Sequence, residues 1–182
     1  LTLERQRTAQ LAEGVPDHRT RIDRLERLVA LLRENEAALC ESLQADFGQR
    51  SLSNAAMTEI AYPISAIRYA QKHLRAWMKD EPRKVALLPR LLGARARVRY
   101  QPLGVVGVIS PWNFPVNLAV APLTDILAAG NRAMVKPSEH TPRNSALLAE
   151  LVARYFSDEE VAVFPGGLEA GEAFARLPFD HL

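Results

Sequence analysis

The sequence predicts an α/β protein: N-terminal helices and a β-hairpin leading into a parallel sheet that stays incomplete within these 182 residues. Three observations carry this. Up to about residue 80, apolar side chains fall three and four apart, the period of a helix buried on one face. Residues 94–100 alternate arginine with small or apolar residues, the period of a strand with one wet face. From residue 104 onward, short apolar runs without alternation are separated by helix-length segments. Strands buried on both faces and joined by helices make right-handed βαβ crossovers in a parallel sheet.

Each element has its own signal. Leu3–Glu13 reads as a first helix stopped by Gly14 and Pro16. Asp17 is the expected N-cap of a long helix reaching Asp46 and closed by Phe47-Gly48. Its apolar face is Ile22, Leu25, Leu28, Val29, Leu32, Leu39 and Leu43, with Arg21, Arg24, Arg27 and Arg33 among the residues on the other faces. A third helix is expected over Asn54–Lys79, kinked or split by Pro63, with Met57, Ile60, Ile64, Ile67, Leu74, Trp77 and Met78 as its apolar set. After Pro82, Val85–Leu92 and Ala94–Tyr100 flank Gly93 as the two arms of a hairpin. Gly104–Ile109 is the first buried strand. The helix after it contains Pro122 and ends at Ala128-Ala129-Gly130, with the glycine as C′ residue. Arg132–Val135 is the second strand. Thr141 caps and Pro142 opens the helix to Tyr155. Val161–Phe164 is the third strand, Leu168–Leu177 the next helix, and Phe179–Leu182 the opening of a fourth strand beside an open, aggregation-prone edge.

Composition narrows the function classes. With 48% hydrophobic and 24% charged residues and a net charge of +2, the chain carries no strong field for nucleic acid or a membrane surface. The basic residues between Arg68 and Arg99 lack the interleaved aromatics of a nucleic-acid module. No apolar run approaches the roughly 20 residues of a membrane span. The single cysteine, Cys40, excludes an intrachain disulfide and suits a reducing, cytoplasmic compartment. On the apolar side of its helix, Cys40 reads as a buried structural residue. His18, His73, His140 and His181 have no metal-ligand spacing.

Chemistry concentrates where two parallel strands end, the place where open α/β sheets bind ligands. In Ser110-Pro111-Trp112-Asn113-Phe114-Pro115, two prolines stiffen a turn between strand and helix. Asn113 there can aim an amide N–H at developing negative charge. It can equally cap the next helix or close an Asx-turn. Lys136-Pro137-Ser138-Glu139 occupies the equivalent place on the next strand. Lys136 and Glu139 can hydrogen-bond ribose hydroxyls, and a carboxylate disfavours a 2′-phosphate. A plain surface turn capped by Ser138 or Glu139 is the competing reading. Gly166-Gly167 permits close approach of a ligand or an ordinary turn. The G-x-G-x-x-G dinucleotide fingerprint is absent.

Taken in order, PLGVVGVISPWNFP, LAAGN and NRAMVKPSEHTP resemble the aldehyde dehydrogenase superfamily, a likeness that runs along the whole chain to PFDHL. ADFG, NRAMVKPSEHTP and VFPGG are most similar to its coniferyl aldehyde dehydrogenase branch, close to the fatty-aldehyde type. The resemblance implies residues 1–81 as a helical region packing on the cofactor domain, 82–101 as an oligomerisation hairpin, and 102–182 as the first part of an NAD-binding Rossmann-like domain. It implies NAD(P)-dependent oxidation of an aldehyde to a carboxylate through a cysteine thioester, with NAD as the expected cofactor and NADP left open. It implies a homodimer or homotetramer. Asn113 matches the oxyanion-hole asparagine, Lys136 and Glu139 the adenosine-ribose contacts, and Gly167 a glycine near the adenine. Ile109, Ser110, Pro111 and Trp112 match the backbone lining the cofactor cleft. The family's nucleophilic cysteine, glutamate base and pyrophosphate turn have no counterpart in residues 1–182, so the chain reads as about the first two-fifths of such an enzyme, inactive alone. The other reading is a non-catalytic nucleotide-binding or oligomerisation module.

Overall fold

The computed structural model describes all residues from Leu1 to Leu182. Helix α1 spans Thr2–Glu13 and stops at Gly14 (φ 71°), whose N–H bonds to the Gln10 carbonyl. Asp17 accepts the Thr20 amide at 2.8 Å and opens α2, His18–Glu34. The single long helix expected here is two. The chain leaves helical geometry at Asn35 (φ −119°, ψ 18°) and restarts as α3, Glu36–Phe47. Asn35 Nδ2 donates to the Leu31 carbonyl at 2.9 Å and to the Tyr155 hydroxyl at 3.2 Å. The apolar spacing continues in step across the break, so periodicity alone does not reveal it.

The third helical stretch also differs from expectation. It is α4 (Leu52–Ala55), a π turn (Ala56–Ala61) and α5 (Tyr62–Trp77), with Pro63 in the first turn of α5. The widened turn accommodates a proline that has no N–H to give. Met57 and Trp77 are exposed rather than on the apolar face.

The hairpin is built differently from the expected arms. Strand β1 is Glu81–Arg83 and β2 is Ala96–Val98, paired antiparallel with Pro82 opposite Arg97. Between them Leu87–Leu91 forms a short helix, α6. Pro82 is tolerated because a two-stranded ribbon has only edge strands. Pro89 is tolerated because the first turn of a helix has no partner for its amide. Arg97 and Arg99 both reach Asp80, at 3.0 and 2.7 Å, but the covered face expected between the arginines is not found: Ala94, Ala96 and Tyr100 are exposed and Val98 is half-buried.

The parallel sheet follows the predicted order. Strands β3 (Val105–Ile109), β4 (Arg132–Lys136) and β5 (Val161–Val163) lie side by side in that sequence. Helices α7 (Asn117–Ala129) and α8 (Pro142–Tyr155) connect them, and α9 (Leu168–Ala175) follows. The incoming fourth strand touches the free edge of β3 through a parallel bridge between Val106 and His181. Gly107 makes room for it. A Cβ there would stand 2.6 Å from Leu182 and 2.7 Å from Phe179.

Side chains alternate between two faces along each strand. Val106, Val108, Ala133, Val135 and Val161 join the main core with Leu25, Leu28, Leu39, Leu43, Ile67, Leu74, Leu123 and Leu148. Val105 and Met134 point the other way, onto Leu3 of α1 and Phe174 of α9. Both faces are therefore covered, which explains the unbroken apolar runs. No helix is long and apolar enough to cross a membrane.

Charges are also buried, contrary to the solvated faces expected of α2. Arg21 and Arg24 are 5% and 2% exposed. Arg24 bonds to Glu13 at 2.8 Å and Glu160 at 3.0 Å. Arg27 grips the same Glu160 carboxylate at 2.8 Å, and Arg132 reaches Glu13 at 2.8 Å. Arg21 donates to the carbonyls of Pro16 and Ala128, both at 3.0 Å. Thus α1, α2, β4 and the loop before β5 share one ionic cluster. Burial alone would raise the Glu160 carboxyl, but hydrogen bonds from Arg27 and Arg24 and their charges hold it at about 2.

The expected cap of α8 is corrected as well. Thr141 occupies the N-cap position but makes no side-chain bond. Asp46, at the end of α3, accepts the Arg143 and Asn144 amides at 3.2 and 2.9 Å. A carboxylate serves a helix N-terminus as well as a hydroxyl does, and adds charge against the helix dipole.

Two predictions follow from these carboxylates. The folded value of Glu160, about 2, lies below its ordinary 4.5, so its stabilisation is complete above pH 4.5 and is lost as pH falls toward 2. Urea unfolding followed from neutrality to about pH 2 should lose on the order of 3 kcal/mol from this group, and Glu160→Gln should flatten the curve. Asp46→Ala is expected to cost about 1 kcal/mol in the same assay through loss of the cap. An unchanged midpoint would mean that α8 does not lean on that carboxylate.

Candidate functional site

The register of the sheet brings the two polar turns together. Ile109 ends β3 opposite Lys136, which ends β4, and the Ser110 amide donates to the Lys136 carbonyl at 3.1 Å. Ile109 is 52% exposed although the rest of β3 is buried. Ser110 is buried, and its Oγ has no hydrogen-bond partner. Pro111, Trp112, Asn113 and Phe114 are exposed. The Trp112 ring packs 6.3 Å from that of Phe47.

Sequence alone left Asn113 between catalysis and capping. No side chain of its own segment caps α7. Glu59, fully buried in the π turn, accepts the Val116 and Asn117 amides at 3.1 and 2.8 Å. The Asn113 side chain is exposed and makes no hydrogen bond within the chain. Its carbonyl accepts from Arg50 Nη1 at 3.2 Å. The helix end is already satisfied, so the Asn113 amide stays free at the carboxyl end of β3. Glu59 was missed in the sequence reading. Its spacing to Ala55, Pro63 and Ile67 was a usable signal, since it places a carboxylate on the buried side. Burial pushes that carboxyl up, against the Asn117 amide, Arg50 and the Val116 amide.

The Lys136 side chain is 3% exposed; its Nζ donates to the Pro137 carbonyl at 2.7 Å and lies 3.7 Å from Glu139 Oε2. Glu139 is exposed. Its own backbone N–H, then the Lys136 charge and that of His140, hold its carboxyl below the usual range. Ser138 organises this turn, accepting the His140 amide at 3.2 Å and, through its carbonyl, the Ser145 hydroxyl at 2.9 Å. Glu139 is thus free of capping duty.

Gly167 is the exposed N-cap residue of α9, and a Cβ there would meet nothing within 4 Å. The constrained glycine is its neighbour. Gly166 has φ 153°, and a Cβ there would sit 2.7 Å from Ala170. Helix α9 runs beside the lysine, since a Cβ on Gly171 would be 3.9 Å from Lys136 Cε. Cys40 is buried in the core, and burial raises its thiol, so it is no poised nucleophile.

The Lys136 ammonium, with one hydrogen bond, and the exposed Glu139 carboxylate place a donor beside an acceptor, a pair that fits the vicinal diol of a nucleotide ribose. A concavity of about 750 Å³ lies instead on the hairpin, among Arg83, Lys84, Arg90 and Arg95, and shares no residue with this cluster.

Comparison with known proteins places the whole chain in a family. Residues 7–179 match the aldehyde dehydrogenase family. The chain is 50% identical over 99% of its length to a probable coniferyl aldehyde dehydrogenase of Caulobacter vibrioides and 49% identical to a coniferyl aldehyde dehydrogenase of a Pseudomonas species. It spans 37% of the length of each of those curated relatives. Among solved structures, the substrate-bound state of Staphylococcus aureus AldH superposes with a TM-score of 0.91 at 28% identity, over 98% of this chain and 38% of that one. The family match takes in residues 7–179 and the sequence and backbone alignments extend over 98–99% of the chain, so the chain belongs to the aldehyde dehydrogenase family.

Proposed function

We propose that this chain contributes the oxyanion donor and the adenosine-ribose contacts to an NAD(P)-dependent oxidation of an aldehyde, of coniferyl or long-chain type, to its carboxylate. The observation that carries the reading is the unengaged Asn113 amide, held at the end of β3 beside the Lys136 turn. Lys136 and Glu139 would hold the adenosine ribose, with Ile109, Ser110, Pro111 and Trp112 lining the cleft and Gly167 near the adenine. The bound dinucleotide supplies a hydride acceptor. A thiolate adds to the aldehyde carbon, and the Asn113 N–H donates to the oxygen as it gains charge. After hydride leaves that carbon, water hydrolyses the resulting thioester, releasing the carboxylate and restoring the thiol. The thiol and the base that activates water are assigned to residues outside 1–182, since Cys40 is buried and its burial raises the thiol.

The hairpin is the proposed contact with a second subunit in a dimer or tetramer. Leu87, Leu88, Leu91 and Leu92 are each more than two-thirds exposed on it, an apolar surface that association would cover. Residues 1–81 are proposed as the region that packs on the cofactor domain, and 102–182 as the first part of that domain.

In the full-length protein, Asn113→Ala is expected to lower kcat for aldehyde oxidation about 10²–10³-fold while leaving NAD⁺ affinity intact. Coniferyl aldehyde and a long-chain aldehyde should be assayed side by side, and wild-type turnover by the variant would remove Asn113 from the chemistry. Glu139→Gln should shift preference toward NADP⁺ by about tenfold in the ratio of kcat/KM values, the effect of removing one charge near a 2′-phosphate. An unaltered ratio would place the ribose elsewhere.

A further inference from the structure

Glu59 and Arg50 lie outside the strand-end cluster, yet both hold the turn that carries Asn113. Glu59 Oε2 takes the first free amides of α7, where unpaired N–H groups and the helix dipole favour a carboxylate. Within the π turn Glu59 and Ile60, neighbours in sequence, are both buried.

Arg50 spans the remaining gap. Its Nη2 lies 2.5 Å from Glu59 Oε1, and its Nη1 donates to the Asn113 carbonyl at 3.2 Å. The guanidinium also lies over the Phe47 ring at 4.9 Å and the Phe114 ring at 5.3 Å. A planar fork with donors in several directions and two flat faces suits this position, where a lysine could make only part of the contact. The Asn113 carbonyl belongs to the rigid peptide that leads into Phe114. Holding that oxygen and the following ring constrains how the Asn113 side chain leaves the backbone. An exposed amide without a hydrogen bond of its own has nothing else to aim it.

We propose that Arg50 and Glu59 are positioning residues for the oxyanion donor, clamping residues 110–116 so that the Asn113 amide is presented in one orientation. The proposal rests on reading Asn113 as that donor, and adds which residues preorganise it.

The test uses the full-length protein with Arg50→Met, Glu59→Gln, Asn113→Ala and the Arg50→Met/Asn113→Ala pair. Arg50→Met is expected to lower kcat for aldehyde oxidation about tenfold or more, the scale of a misaimed catalytic group. The KM for aldehyde and the NAD⁺ dissociation constant should stay within about twofold, and the loss should vanish on the Asn113→Ala background. Glu59→Gln, which keeps an acceptor but loses the charge, should fall between wild type and Arg50→Met. Wild-type kcat in Arg50→Met, a loss that adds to that of Asn113→Ala, or a parallel fall in NAD⁺ affinity would each overturn the proposal. Should Arg50→Met unfold, Arg50→Lys, which retains charge beside Glu59 without the fork, decides the question by the same split. If Asn113→Ala itself turns over normally, the donor reading fails. If it is slow while Arg50→Met is not, only the positioning role fails.

Discussion

Parallel pairing of Val105–Ile109 with Arg132–Lys136 forces both strands inside, because a sheet joined by helical crossovers has helices on its faces. Every other feature answers to that demand. One face is covered by α2, α5, α7 and α8 through the leucine-rich core, and the opposite face by Leu3 and Phe174. With both faces covered, the strands can present side chains to a ligand only at their ends, and the polar turns lie at the carboxyl ends. That is where Ile109 is half exposed, and where Asn113, Glu139 and the buried Lys136 are found.

The buried charges perform a different task from the apolar core. Desolvation offsets part of the attraction in each ion pair, and at Glu160 the arginines outweigh it. Glu13 and Glu160 receive Arg24, Arg27 and Arg132 from α2 and β4, and Glu13 ties α1 to both of those elements. Glu59 and Asp46 do the equivalent at two helix ends. In both, a carboxylate from the N-terminal helical half satisfies the first amides of a helix in the sheet half. The two halves are thereby registered at the strand ends, where a shift of an ångström matters most for chemistry.

The candidate site was legible in part. Asn113, Lys136 and Glu139 were visible as polar residues in stiff turns at strand ends, because strand direction and the βαβ rule locate those ends without coordinates. That Asn113 does not cap α7 was not visible. It turns on Glu59, more than fifty positions earlier, already occupying the amides that Asn113 would have capped. The same holds for Thr141, displaced as a cap by Asp46. Side chains from distant segments compete for helix ends, and local sequence has no record of that competition.

By itself the sequence determined the fold class, the order of the three parallel strands and the helices between them, and the turns at the strand ends. Those follow from periodicity and from proline and glycine placement, which act over a few residues. Only the tertiary structure decided that the long helix breaks at Asn35, that Leu87–Leu91 coils instead of pairing, that Arg21 and Arg24 are buried, and that Asn113 is unengaged. Each of those outcomes depends on a partner far away in the chain or on a covering surface, and the free energy of such contacts is set in three dimensions.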